Sequence, residues 1–384
     1  MYKNYISIAY LFLTCLFAAP VNRNGTTALN FLEIDIGSAG SALGGAYVSV
    51  VDDATACYWN PAGLTGSQRS NIIFMHQPWL LDIEHYFIAT SANLGRGGYI
   101  GIALNYMNYG DEEVTTVQFP DGTNEFYSAN DYSLSFSYAK RIVDWFSFGA
   151  TLKYLSSNVW HLSGKAVAMD LGVLINSHFF ARGDDRNTGM RIGMSISNFG
   201  SKIKYDGIDL LNSIDISDDN GNFANVPGQY KMSSWELPLI FRIGASIAPL
   251  NNSFNKLQFS ADMLHPNNNA ESINLGVEYT QKFRNLAEIY FRLGTKIISD
   301  IKVGNECVFD KGELDNGIDN VVDCNDIDGT WHSEETIKLS EVENTIGGGL
   351  KLRIQGLNTI KIDYCYKNIG ILGNVHLYTI GIDF

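Results

Sequence analysis

The sequence predicts an all-β protein, a transmembrane antiparallel β-barrel of about fourteen strands. Three observations carry this. The chain opens on an export leader and contains no later apolar run of helix-spanning length. Apolar and polar residues then alternate over one segment after another. Tight turns alternate with long loops, and the last strand ends on an aromatic at the last residue, Phe384.

The leader is MYKNYISIAYLFLTCLFAAP, with an early Lys, an apolar core and small residues at Ala18 and Ala19. It reads as a signal peptide over 1–19, because the apolar core is too short to anchor in a bilayer. Cys15 is a poor lipidation signal, since Phe-Leu-Thr precedes it. Composition agrees with an ordered, strand-rich chain: 45% of residues are hydrophobic and only 18% charged, with abundant Tyr, Phe and Gly. A net charge of −14 with no basic stripe excludes a nucleic-acid partner.

The strands show a period of two. In Asp131–Lys140, Tyr132, Leu134, Phe136 and Tyr138 alternate with Ser133, Ser135 and Ser137. Ile100, Ile102 and Leu104 alternate with Gly101, Ala103 and Asn105, and Ile273, Leu275 and Val277 with Asn274, Gly276 and Glu278. One face is apolar and the other polar. A soluble sandwich shares that pattern. The strands, however, run about nine to thirteen residues, the length of a tilted membrane crossing. Aromatics also recur near strand ends, at Tyr106, Tyr109, Trp145, Phe146, Trp160, Tyr364 and Tyr366, as expected of interfacial girdles.

Fourteen strands are expected near 69–77, 83–94, 97–109, 130–141, 144–157, 164–177, 189–200, 238–249, 256–264, 271–283, 286–302, 345–354, 357–366 and 375–384. The long loops near 110–129, 201–237 and 303–344 all follow odd-numbered strands, so they share one end of the barrel. With periplasmic termini that end is extracellular and the tight turns are periplasmic. The connection 178–188 is long for such a turn. Tyr378, Ile380, Ile382 and Phe384 line one face of the final strand and resemble the signal by which outer-membrane barrels are assembled. This implies the barrel-assembly machinery and outer-membrane lipid as partners, in the outer membrane of a Gram-negative-type bacterium.

Before the strands, residues 30–64 read NFLEIDIGSAGSALGGAYVSVVDDATACYWNPAGL. Gly37, Gly40, Gly44 and Gly45 make a small-residue track that lets a backbone pass close to its neighbours. Asp52 and Asp53 follow, and Asn60-Pro61 breaks any helix ahead of the first strand. Adjacent carboxylates on extended chain point apart, and no His, Lys or nucleophile lies nearby in sequence, so catalysis has no support. The carboxylates are expected to bond backbone amides in a turn, or basic wall residues such as Lys153 or Arg191. Cys57 reads as a small buried residue.

The run Gly37, Gly40, Gly44, Gly45, Ala46, Asp52, Asp53, Ala54, Trp59, Asn60, Pro61, Ala62, Gly63 and Leu64, followed by a barrel, resembles the FadL-like outer-membrane proteins. Within them it is most similar to the PorV/PorQ branch associated with type IX secretion. The resemblance implies that residues 20–66 enter the lumen of a barrel over 67–384 as a plug. Asn60-Pro61 and Trp59 would then mark the hinge at the periplasmic rim. It implies a role in protein export and surface attachment, with secretion-system proteins or exported cargo as partners. The alternative within the same superfamily is FadL-type uptake of long-chain fatty acids or hydrocarbons. Polar lumen positions such as Ser135, Asn105, Arg191, Glu278, Lys361 and Asp363 favour the first, because a greasy conduit wants an apolar wall. The seven histidines are scattered, and nothing points to an enzyme.

Residues 305–329 are strongly acidic. Asp310, Glu313, Asp315, Asp319, Asp323, Asp326 and Asp328 interleave with Gly and Asn, hard oxygen donors on a turn-rich backbone that suits Ca²⁺. The spacing is not that of an EF-hand loop. DNGIDN and VDCNDIDG are similar to thrombospondin-type calcium repeats. A solvated acidic loop stapled by a Cys307–Cys324 disulfide fits equally.

Overall fold

Period-two alternation becomes a closed wall. The computed structural model describes residues 25–298 apart from 68, 182–184, 215–225 and 285, the short strands within 301–337, and residues 342–354 and 358–384. The leader, Cys324 and the acidic-loop carboxylates other than Asp315 lie outside the described residues, so the proposed disulfide and calcium set do too.

The wall strands are β1 Asn71–Pro78, β2 Glu84–Asn93, β3 Tyr99–Glu113, β4 Phe126–Val143, β5 Phe146–Val159, β6 Leu162–Asn176 and β7 Arg191–Gly200. They continue as β8 Ile240–Asn251, β9 Asn255–Pro266, β10 Ser272–Phe283, β11 Ala287–Ile298, β12 Glu343–Arg353, β13 Thr359–Asn368 and β14 Asn374–Asp383. Each pairs antiparallel with the next. β14 pairs with β1 from Asn71↔Asp383 to His76↔Tyr378, closing a fourteen-stranded barrel without an edge. One further strand, Tyr205–Gly207, extends the wall beside the start of β6. Within 301–337, short strands form two small antiparallel sheets of their own.

Strand positions follow the alternation closely. β3 and β4 run longer than expected, so the loop placed at 110–129 narrows to 114–125. The wall has a bulge where Met169 opposite Phe199 gives way to Leu171 opposite Ile196. Asn198 adopts φ +66° there and its amide donates to the Asp170 carboxylate at 2.7 Å.

The apolar face points outward. Phe136, Tyr138, Ile273, Leu293, Ile346 and Ile380 are all exposed, while their neighbours Ser135, Ser137, Asn274, Arg292, Thr345 and Thr379 are buried toward the lumen. Such a band is an aggregation surface in water and a stable one in lipid. An aromatic ladder crosses it near the long-loop end, through directly opposed positions: Tyr364↔Tyr378, Tyr378↔His76, His76↔Tyr86, Tyr86↔Tyr106 and Tyr106↔Tyr132. His76 stacks on Tyr86 at 4.9 Å between centroids, and Tyr364 meets Tyr378 at 5.6 Å. Amphipathic rings at that depth match the membrane–water boundary. Tyr109 is not part of this girdle. It shares the inward parity of buried Met107, and its hydroxyl donates to Asp131 at 2.7 Å.

Leu293→Lys, in the middle of the outward face of β11, should cost about 2–4 kcal/mol of folding stability, the penalty for a cation near the bilayer midplane. Reversible urea unfolding in lipid vesicles measures this. Lys in place of Val117, in an exposed loop, should change it little.

Candidate functional site

Residues 25–67 run inside the barrel. They touch the inward side of the wall on all sides, from Met75 on β1 through Ser147, Ser195, Asp262 and Thr345 to Thr379 on β14. The segment holds two very short helices, α1 Ser38–Ala42 and α2 Ala56–Trp59, and two 3₁₀ turns, Asn30–Glu33 and Pro61–Gly66. Gly44 and Gly45 sit at φ +67° and +80°, which lets the chain leave α1 in a tight turn.

Polar anchors fix its course. The Ser38 amide donates to Thr379 Oγ1 at 2.9 Å, and the Val48 amide to Asp262 Oδ2 at 2.7 Å. Asn60, fully buried, is a hub: its Nδ2 donates to the carbonyls of Val48 (2.9 Å) and Val173 (3.0 Å), and its Oδ1 accepts from the Ala62 amide (3.1 Å). That satisfies the first turn of 61–66, with Pro61 at the position where a missing N–H costs nothing. Trp59 Nε1 donates to the Ile36 carbonyl at 2.9 Å, joining the two halves of the segment. Trp59 is therefore not at the rim. It is completely buried, edge-on to Tyr47 and Tyr58, with the Arg242 guanidinium 5.5 Å from its ring centre.

Close approach to the wall depends on small inward positions. A Cβ added at Gly294 would overlap the Gly44 amide, one at Gly172 the Asn60 side chain, and one at Gly193 the Val48 carbonyl. Gly149 lies likewise against Pro61-Ala62, and Gly276 against Leu43. Gly149 is directly opposed to Gly172, Gly193 to Gly244, and Gly276 to Gly294, so these residues form a belt round much of the inner wall. Mid-strand glycine on a polar face is the signal that could have located this belt in the sequence. Within the segment, Gly40 makes room for the Trp59 ring, Gly37 faces the Thr55 methyl, Gly63 packs on Val51, and Gly45 lies beside Asn274.

The two aspartates have different partners. Asp53 accepts from the Thr55 amide at 3.0 Å and pairs with Lys361 at 3.4 Å. Lys153, expected as a partner, is instead buried in the wall with Asp170 at 2.7 Å, and Arg191 donates to the Val51 carbonyl at 3.3 Å. Asp52 faces the water space enclosed by the wall, where that enclosure and then the Asp53 carboxylate push its carboxyl up. Burial pushes the Cys57 thiol up to about 11, leaving a packed, unreactive side chain. Asp35, which sequence reasoning passed over, pairs with Lys367 at 3.0 Å. Burial alone would raise its carboxyl, but Lys367, then Lys296, overcome this and hold it below its ordinary 3.8.

The lumen is divided. Toward the long-loop end, Leu29, Phe31 and Leu32 pack with Met107, Leu155, Ile203 and Leu237. Toward the short-turn end the segment leaves a cavity of about 870 Å³. Rim residues of that end, Asn251, Ile354, Asn358 and Asp383, line it, so it opens there as a vestibule. Eight Lys and Arg side chains line it against five Asp and Glu, in a chain of net charge −14. Within it Arg292 bridges Glu278 (2.7 Å) and Asp363 (2.6 Å). No group of three or more metal-binding side chains occurs among the described residues.

A closed, edge-free barrel with a lipid-compatible outer face and a polar interior defines a bacterial outer-membrane β-barrel protein. The sequence profile of the family described as Type IX secretion system protein PorV matches residues 18–222, more than half of the chain, and the chain belongs to that family. Comparison with curated protein sequences finds no significant match. Among solved structures, the CymD monoaromatic hydrocarbon channel is similar with a TM-score of 0.51 and 10% identity, over 91% of this chain and 97% of that one. A Pseudomonas aeruginosa FadL homologue is similar with a TM-score of 0.50 and 10% identity, over 91% and 98%. At that identity the likeness is one of fold.

The lowered Asp35 carboxyl gives a signed pH effect. A carboxyl lower in the folded than in the unfolded state stabilises above its ordinary 3.8, and that contribution is lost as pH falls through the lowered value. Wild type should therefore melt above Asp35→Asn at neutral pH. The gap should close on acidification below 3.8, as read by thermal unfolding in detergent at a series of pH values.

Proposed function

We propose that the protein serves type IX secretion as a binding component of the outer membrane, holding exported cargo or a partner barrel, with residues 25–67 as a plug. Membership of the PorV family is the observation that carries this reading. The course of the segment supports the plug: its backbone lies against inner-wall glycines on both sides of the barrel, with the vestibule on its short-turn side. On this reading Gly37, Gly40, Gly44 and Gly45 seat the plug, and Trp59-Asn60-Pro61 with Gly63 lock it. The outward row Tyr378, Ile380, Ile382 and Phe384 is the strand offered to the assembly machinery.

The competing reading is uptake of hydrophobic compounds, which the fold shared with hydrocarbon channels keeps in view. Affinity isolation of the tagged protein from outer membranes separates the two. Recovery of a secretion channel or folded cargo in stoichiometric amount is the expected result. A fatty acid or hydrocarbon held inside, with no protein partner, would sink the export reading.

The plug has its own test. Gly294→Val puts a branched side chain where the Gly44 amide lies and should unseat the segment. In planar bilayers the wild-type barrel should conduct little and the variant clearly more. Equal conductance in a correctly folded variant would count against a plug.

A further inference from the structure

The vestibule carries a charge opposite to that of the chain, and the segment's Asp52 and Asp53 offset only part of it: eight Lys and Arg face five Asp and Glu with these two included. Lys256 on β9 and Lys282 on β10 line its wall, with Arg191 near its floor and Lys351 on β12 paired to Asp383 at 3.0 Å. The Lys282 ammonium bonds the Asn251 side-chain oxygen (3.1 Å) and the Asn252 carbonyl (3.4 Å), and no carboxylate partners it among the described residues. Lys256 is 4.0 Å from Glu278, whose other oxygen already accepts from Arg292 at 2.7 Å. These ammonium groups hold donor capacity toward the cavity, and low-dielectric walls on all sides concentrate their field.

We propose that this vestibule is a binding site for an acidic peptide segment entering from the short-turn, periplasmic end. The mixed lining selects a peptide over a dense polyanion. Glu278, Glu288 and Asp383 stand among the cations, paired with Arg292, Arg353 and Lys351, and so take up part of the positive charge a dense polyanion would need. A peptide instead brings separated carboxylates for the lysines and amide N–H groups for these acids. Gln258, Thr280 and Asn358 supply neutral donors and acceptors for its backbone. A cavity of about 870 Å³ is within the ~300–1,000 Å³ typical of sites that enclose a compact ligand. The site stands on its own lining and holds whether or not the outer surface binds cargo.

The test uses the full chain in lipid nanodiscs and a short fluorescent peptide rich in Asp, Glu, Gly and Ser, followed by anisotropy. Saturable binding that weakens with salt is expected, with no binding of the matching Lys-rich peptide. Lys256→Glu with Lys282→Glu should weaken binding by about tenfold or more, the loss expected when charge-assisted hydrogen bonds are removed. The neutral pair Lys256→Gln with Lys282→Gln, checked for heat-modifiable gel mobility, should fall between, which separates lost binding from lost folding. Equal binding of the Lys-rich peptide, or affinity unchanged in folded double variants, overturns the proposal. So does displacement by inorganic phosphate beyond that by chloride at the same ionic strength, which would make this a small-anion site.

Discussion

Two backbones inside one barrel have to lie almost in contact, and the glycine belt makes this possible. Fourteen strands enclose a lumen too wide for wall side chains alone to fill. The N-terminal segment fills part of it, and where it meets β5, β6, β7, β10 and β11 the wall presents hydrogen in place of a side chain. The segment's own carbonyls and amides then reach wall partners directly, as the Val48 amide reaches Asp262. A methyl group at one belt position would push the segment off the wall and strand such groups unpaired in a buried site, a costly outcome. The belt and the polar anchors are thus one device, in which proximity lets each hydrogen bond form and the bonds hold the backbone at that distance.

The same constraint explains why the wall's two faces differ so sharply. A residue slip in any strand would carry glycine and Ser to the lipid face and turn Leu, Ile and Phe onto the segment. Register is consequently fixed from both sides, by lipid outside and by the segment inside. The aromatic ladder from Tyr364 to Tyr132 lies in one unbroken cross-strand row because the register holds across six strands.

The strands were legible because period two is a strong local signal and nearly every wall strand carries it. Their closure followed from the even count, and the ends of the barrel from the alternation of turn and loop. What could not be read was anything depending on which inward residues meet. Asp53 and Lys361 are 308 positions apart, and their pairing is set by strand tilt and by the path of the segment, neither of which leaves a local trace. Lys153 was a reasonable partner by charge, yet the regular β5–β6 register sets Asp170, opposite Thr151, diagonally beside it on the same inward face. Trp59 looked like a rim anchor because it adjoins Asn60-Pro61 and precedes the first strand. The 3₁₀ turn of 61–66 and the residues after it cover the remaining distance to β1, so the indole is deep in the core. Parity likewise turned Tyr109 inward, since a position near a strand end does not choose the face.

The division of the lumen bears on how such a barrel differs from a conduit for hydrophobic compounds. Passage of an apolar solute needs apolar surface and open space in the same place. Here the apolar contacts made by Leu29, Phe31 and Leu32 are consumed in packing against Met107, Leu155 and Ile203. The open space lies at the other end and is lined by ammonium, guanidinium and carboxylate groups, whose hydration an apolar solute would have to displace without return. Open space and apolar surface are therefore separated in this lumen. The vestibule favours ligands that bring charge and hydrogen bonds with them, whereas the apolar end is already filled by packed side chains.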